Sequence, residues 1–180
     1  MRKVDIQIGG TPIGEFPTWA YPAGDSLGVF LVPVYSCAVT GQNDAGNDVL
    51  ERFNVLRFGV KSEDGRVAKV VGLADYQKHV IKAWVSSYTV HSARSDENGA
   101  WQVKDNFLIH DGPDHTGELF ATVGCIEIIG TKGFSKFNDL ILKLAGPSPG
   151  DRNQQLSEIG RSGNMYITYA QAKHPPLKKR

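Results

Sequence analysis

Short apolar runs cut by glycine, proline and aspartate leave this chain little room for long helices. The sharpest case is residues 106–130, NFLIHDGPDHTGELFATVGCIEIIG. Phe107-Leu108-Ile109 ends at His110, a polar Gly/Pro/Asp-rich loop follows, and Ile126 to Ile129 forms a second run interrupted by one charge, Glu127. Runs of this length bounded by turn residues read as buried strands. A histidine therefore ends one expected strand and a cysteine, Cys125, begins another. If the two strands are neighbours in one sheet, the imidazole and the thiol come near each other.

The rest of the chain repeats the pattern. Residues 3–8 alternate polar and apolar as a half-buried strand does, and Gly9 to Pro12 reads as a turn. Residues 12–28, rich in glycine and proline, read as loop. Gly28 to Tyr35 is apolar and β-branched, with Pro33 placing it at an edge or a bulge. Asn43 to Asp48 is a turn cluster without EF-hand spacing. Glu51 to Lys61 and Val67 to Leu73 read as two strands joined by a hairpin turn at Asp64-Gly65. Ser135 to Leu144 carries Phe137, Leu140, Ile141 and Leu144 on one helical face, with Ser135 as N-cap and Gly146-Pro147 as the stop. Leu156 to Ile159 reads as a short helix and Asn164 to Ala170 as a last strand. The expectation is a single domain over residues 1–180, mainly β, a small sandwich or mixed sheet with one packed amphipathic helix, and a loose basic tail at 174–180.

Composition excludes several classes of function. Lys and Arg number 20 against 19 Asp and Glu, a net charge of +1, so nothing draws the chain toward nucleic acid or an anionic membrane. No run approaches a membrane span. No Cys-x-x-Cys, zinc-spaced Cys/His cluster or His-Glu-x-x-His occurs, so neither a metal nor a cofactor is expected. The basic start, Met1-Arg2-Lys3, is not followed by an apolar stretch of signal-peptide length. Synthesis in the cytoplasm without a signal peptide is expected, with action in the periplasm or cell wall if the chain is exported.

The chemistry rests on Cys125 and His110. A thiolate is the nucleophile and a free thiol is mostly protonated at neutral pH, so a nearby imidazole that accepts the proton activates it. Gly124 lets the backbone turn tightly and a substrate approach. Amides near Gly124 and Cys125 can face a developing oxyanion, where one donor is typically worth about 2.7–4 kcal/mol. His115 is a second-choice base. The orienting partner of His110 is open between Asp111, Asp114 and a backbone carbonyl near Thr122. The plainer alternative is that Cys125 is a small buried hydrophobe and His110 a satisfied core residue.

His110-Asp111-Gly112 followed by Thr122-Val123-Gly124-Cys125-Ile126 resembles the signature of the L,D-transpeptidase catalytic domain, a bacterial cell-wall family, and of related phage and secretion-system proteins. The resemblance covers residues 86–145. It implies a cysteine enzyme acting on peptidoglycan stem peptides, by transpeptidation, D-amino-acid exchange or carboxypeptidase hydrolysis, with Cys125 as nucleophile and His110 as base. It also implies a groove touched by Thr122, Asp111, Gly112, His91 and Arg94. The family pattern carries arginine where this chain has Glu127, glycine where it has Asp111, and histidine or lysine where it has Val123. An exported antibacterial effector of this kind would have a cognate immunity protein as partner. The alternative is a non-catalytic structural β-domain of a phage or secretion particle.

Overall fold

A computed structural model describes residues 1–90, 95, 97–119 and 123–180. His91, Arg94 and Thr122 lie outside the described residues. The chain forms β1 (Val4–Ile8), β2 (Gly14–Thr18), β3 (Phe30–Gln42), β4 (Asp48–Leu56), β5 (Phe58–Glu63), β6 (Val67–Gly72), β7 (Gln77–Val80), β8 (Ala83–Val85), β9 (Ala100–Lys104), β10 (Phe107–Asp111), β11 (Ile126–Ile128), α1 (Gly133–Ala145), α2 (Arg152–Arg161) and β12 (Met165–Tyr169). The class is mainly β, with a mixed sheet and two packed helices.

One large sheet runs β7-β12-β1-β3-β4-β11-β10-β9-β8, with β2 added beside β3. Its two end strands, β7 and β8, are separated in sequence only by Ile81 and Lys82. The Ile81 amide donates to Met165 O on β12 and the Lys82 amide to Gln102 O on β9. Two residues span at most about 7 Å of chain, so the sheet must curl until its ends nearly meet. The concave face holds the main core: Val4, Ile6 and Ile8 from β1, Tyr35, Cys37 and Val39 from β3, Trp101, Ile109, Ile126 and Ile128 from the far side. Helix α1 fills this hollow with Phe134, Phe137, Leu140, Ile141 and Leu144.

The apolar spacing of α1 is as the sequence reads it, and Gly146 in the left-handed region closes it through its amide to Leu142 O. Its start differs. Gly133 begins the helix after Lys132 in the left-handed region, with no side-chain cap at that terminus, so Ser135 lies inside the helix. Helix α2 is longer than expected because Asp151 and Gln154 form a reciprocal capping box. It packs on β8 through Gly160, where an added Cβ would fall 2.6 Å from the Trp84 amide nitrogen.

The stretch read as one strand, 51–61, breaks at Arg57. β4 stays in the large sheet and β5 leaves it to pair with β6 in a separate hairpin. Asp64 (φ 51) and Gly65 (φ 66) make the expected turn. The hairpin covers the convex face of the sheet over a second cluster of Phe16, Phe30, Val32, Val34, Leu56 and Val60. Residues 14–18, read as loop, pair with β3 on the edge that β1 occupies farther along, opposite the side that β4 takes. Pro33 lies in this half of β3, just short of the Val34↔Leu56 pair where the β4 ladder starts. The tail is docked rather than loose: Leu31 donates to Lys178 O, Arg180 donates to Val29 O, and Lys178 Nζ lies 2.7 Å from Glu15 Oε1.

Arg57 is fully buried. Its guanidinium donates to the carbonyls of Leu73 (2.8 Å), Gly9 (3.0 Å) and Ala74 (3.3 Å). It also lies 5.4–5.8 Å from the ring centres of Tyr169, Phe58 and Tyr35. Replacing it with methionine keeps most of the volume but takes the donor from the carbonyls of Leu73 and Gly9, at about 1–3 kcal/mol each, whereas the Ala74 carbonyl keeps the Ala172 amide. Arg57→Met is therefore expected to lower the free energy of unfolding by at least about 2 kcal/mol, read from urea titration at neutral pH.

Candidate active site around His110, Cys125 and Glu127

β10 and β11 are neighbours and run parallel, with Ile109 opposite Ile126, His110 opposite Glu127 and Asp111 opposite Ile128. Parallel strands need a crossover connection, which the loop after Asp111 provides. Ile109, Ile126 and Ile128 face the concave core. Side chains alternate along a strand, so His110 and Glu127 share the convex face. β4 supplies Leu56 opposite Glu127, and Leu56 belongs to the outer cluster.

Cys125 stands immediately before β11. Continuing the register sets it beside Leu108, two residues behind His110. The stagger and the spacing between strands put the two Cα atoms about 8 Å apart for ideal strands. The sequence expectation that the strands are neighbours therefore holds, but the pair is offset along the strands. The Sγ of Cys125 contacts Asn106 O at 3.6 Å. Burial pushes its thiol up to about 11, the Leu108 amide partly offsets this, and the Glu127 carboxylate adds to it. Cys37 belongs to the concave core, and burial pushes it up to about 12. Both thiols are free.

His110 is 2% exposed. Its Nδ1 lies 2.7 Å from Asp111 O. A carbonyl only accepts, so Nδ1 carries a proton and Nε2 is the nitrogen left to exchange one. Nε2 faces Glu127 Oε1 at 3.8 Å. Among the described residues the group that orients Nδ1 is the backbone carbonyl of Asp111; a carbonyl near Thr122, which the sequence also left open, lies outside the described residues. The Tyr88 ring covers the imidazole, centres 5.1 Å apart. Burial raises the Tyr88 phenol, and Cys125 and Glu127 raise it further.

Glu127 is 4% exposed, and its Oε2 has no hydrogen-bond partner among the described residues. Burial, then the charge of Asp111, pushes its carboxyl up to about 8. Asp111 turns its side chain away from His110, and Oδ2 accepts from the Ser95 hydroxyl at 3.0 Å. Gly112 extends the parallel pairing, its amide donating to Ile128 O. A Cβ there would stand 2.9 Å from the Glu127 Cβ, so glycine makes the space that Glu127 occupies.

Gly124 has φ +93, and a Cβ on it would meet the Gly72 Cα at 3.0 Å. The segment leading into Cys125 is therefore packed backbone to backbone against the end of β6. His115 is exposed and pairs with Glu118 at 3.5 Å, so it belongs to the loop surface. The structure places His110, Asp111 and Gly112 at the end of β10, and Gly124 and Cys125 just before the neighbouring β11. The sequence reading missed Tyr88 and treated Glu127 only as a departure. One signal was present: a lone carboxylate inside Ile126 to Ile129, a run otherwise suited to burial.

Comparison of the chain with protein-family models, curated proteins and solved structures returns no match. No helix among the described residues is long and apolar enough to cross a membrane.

The raised Glu127 carboxyl makes stability depend on pH. An unfolded glutamate loses its proton near 4.3, whereas the native one keeps it up to about 8. Between these values the native state binds more protons, so stability falls as pH rises. Glu127→Gln removes this loss. Its urea midpoint is expected to fall less than that of the wild type between pH 5 and pH 8.

Proposed function

We propose that this protein is a cysteine-dependent enzyme of peptidoglycan stem peptides, an L,D-transpeptidase-like or L,D-carboxypeptidase-like acyl transferase. The observation that supports the reading most is the parallel pairing of β10 with β11, which sets a buried imidazole and a thiol on adjacent strands in the order of the cell-wall motif. Gly112 and Gly124 stand where a close backbone approach excludes a side chain. In this reading Cys125 attacks the peptide carbonyl, and Nε2 of His110 takes the thiol proton and returns it to the departing amine. An amine or water then resolves the thioester. Burial holds the resting thiol above its ordinary value, so the thiolate forms by passing its proton to His110. Delivered outside the cell, such an enzyme is an antibacterial effector and its producer carries an immunity protein.

One observation favours the alternative of a non-catalytic β-domain in a phage or secretion particle. Cys125 is 8% exposed and its thiol is pushed up, as in an inert structural cysteine.

The deciding experiment incubates the protein with purified tetrapeptide-stem muropeptides, with and without an added D-amino acid, and reads products by mass spectrometry. Loss or exchange of the terminal residue is expected. Cys125→Ala is expected to abolish it, and His110→Ala to slow it about 100-fold or more. Muropeptides left intact by the wild type, or turnover that survives Cys125→Ala, would sink the reading and leave the structural domain.

A further inference from the structure

We propose that Glu127 is the charge-balancing partner of His110, and that these two buried side chains hold one proton between them and so set the pH at which the Cys125 thiol is activated. This rests on reading Cys125 as the nucleophile. The geometry carries it in three steps. Register makes His110 and Glu127 direct opposites on paired strands. Nδ1 is committed to the Asp111 carbonyl, so Nε2 is the nitrogen that exchanges protons, and it is the one that faces Oε1 at 3.8 Å. Gly112 and Leu56 enclose Glu127, so its charge is poorly screened by water.

Among the described residues, β10 contributes His110 and Asp111 to the charged and titratable groups around this pair, the segment before β11 contributes Cys125, which also acts on Tyr169 of β12, and the segment after β8 contributes Tyr88, on which Tyr21 also acts. β4 and the end of β6 offer Leu56 and Gly72, which carry no charge. Two buried groups this close titrate as a pair, the first proton lost easily and the second held.

The Cys125 S–H proton passes to Nε2 of His110 while Nδ1–H stays on Asp111 O. The sulfur electron pair forms the bond to the carbonyl carbon, and the carbonyl π pair moves to its oxygen. When the tetrahedral centre collapses, the carbon–nitrogen bond breaks and the amine leaves with the proton from Nε2. Glu127 faces the positive charge while it stands on the ring. The pair must be free of its own proton before Nε2 accepts one, so thiol activation rises with pH.

The test uses the full chain with Cys37→Ser and iodoacetamide as the thiol probe, between pH 5 and 10. Glu127→Gln is expected to move the rising limb of the Cys125 alkylation rate at least about one unit lower, a tenfold change in proton affinity. Glu127→Asp is expected to restore much of the wild-type limb. An unmoved limb in Glu127→Gln overturns the proposal, because a purely structural role would change amplitude and not position. The imidazole is read independently by NMR titration of its carbon-bound proton, identified by its loss in His110→Gln. His110 is expected to titrate in two steps in the wild type and in one, shifted down, in Glu127→Gln. A single unshifted step overturns the pairing, and the wild-type curve alone decides if Glu127→Gln does not fold. An alkylation rate indifferent to His110→Ala would instead count against Cys125 as a nucleophile served by His110, while the NMR titration would still judge the pair.

Discussion

The buried guanidinium of Arg57 ties together parts of the chain that nothing local would join. It sits at the point where the chain leaves the large sheet for the β5–β6 hairpin. Three carbonyls converge on it, one after β1 and two between β6 and β7. A cation without a carboxylate partner is costly to bury. Carbonyl dipoles and the faces of Tyr35, Phe58 and Tyr169 offset that cost. Burial lowers the Arg57 pKa, and the neighbouring Tyr35 and Tyr169 offset this in part. The result is a hairpin held against the convex face of the sheet. Gly72 at its end meets Gly124, and through it the segment that carries Cys125.

The opposite face is organised by the curl. A two-residue link between β7 and β8 forces the sheet round, and the hollow it makes is filled by α1. Asn138 is buried in the middle of that helix. It accepts from Trp101 Nε1 at 2.8 Å and donates to Glu97 Oε2 at 3.0 Å, and Arg152 at the start of α2 closes the chain of contacts on Glu97. A buried polar network of this kind rewards one arrangement of sheet, helix and loop. It fixes β9, and β9 is the strand that flanks β10 and His110. The site thus lies between a rigid concave core and a clamped outer hairpin.

Much of this was legible where a local signal exists. The strands around His110 and Cys125, the Asp64-Gly65 turn and the apolar face of α1 follow from period and turn chemistry, which are local properties. The misread stretches share a cause. Glu51 to Lys61 looks continuous because both halves are strands, and only the pairing partner changes at Arg57. Residues 14–18 look like loop because their glycine and proline are tolerated on an edge that β3 offers. The tail at 174–180 looks loose because its order comes from contacts with β3 and Glu15, far away in sequence. Asp151 and Gln154 did carry a capping signal for α2, spaced as a capping box requires.

The sequence by itself determined that the chain is mainly β, that α1 is amphipathic, and that a histidine and a cysteine stand at the borders of two adjacent apolar runs. Each of these depends on residue type and spacing within a short window. Only the tertiary structure decided that β10 and β11 run parallel, that the pair is offset, and that Glu127 rather than Asp111 turns its side chain toward the imidazole. Register makes that choice: a shift of one residue would send Glu127 into the concave core and leave His110 facing an isoleucine. What holds the register is distant in sequence. It is Leu56 on β4, Gly112 beyond β10 and the apolar packing of Ile109, Ile126 and Ile128 over α1.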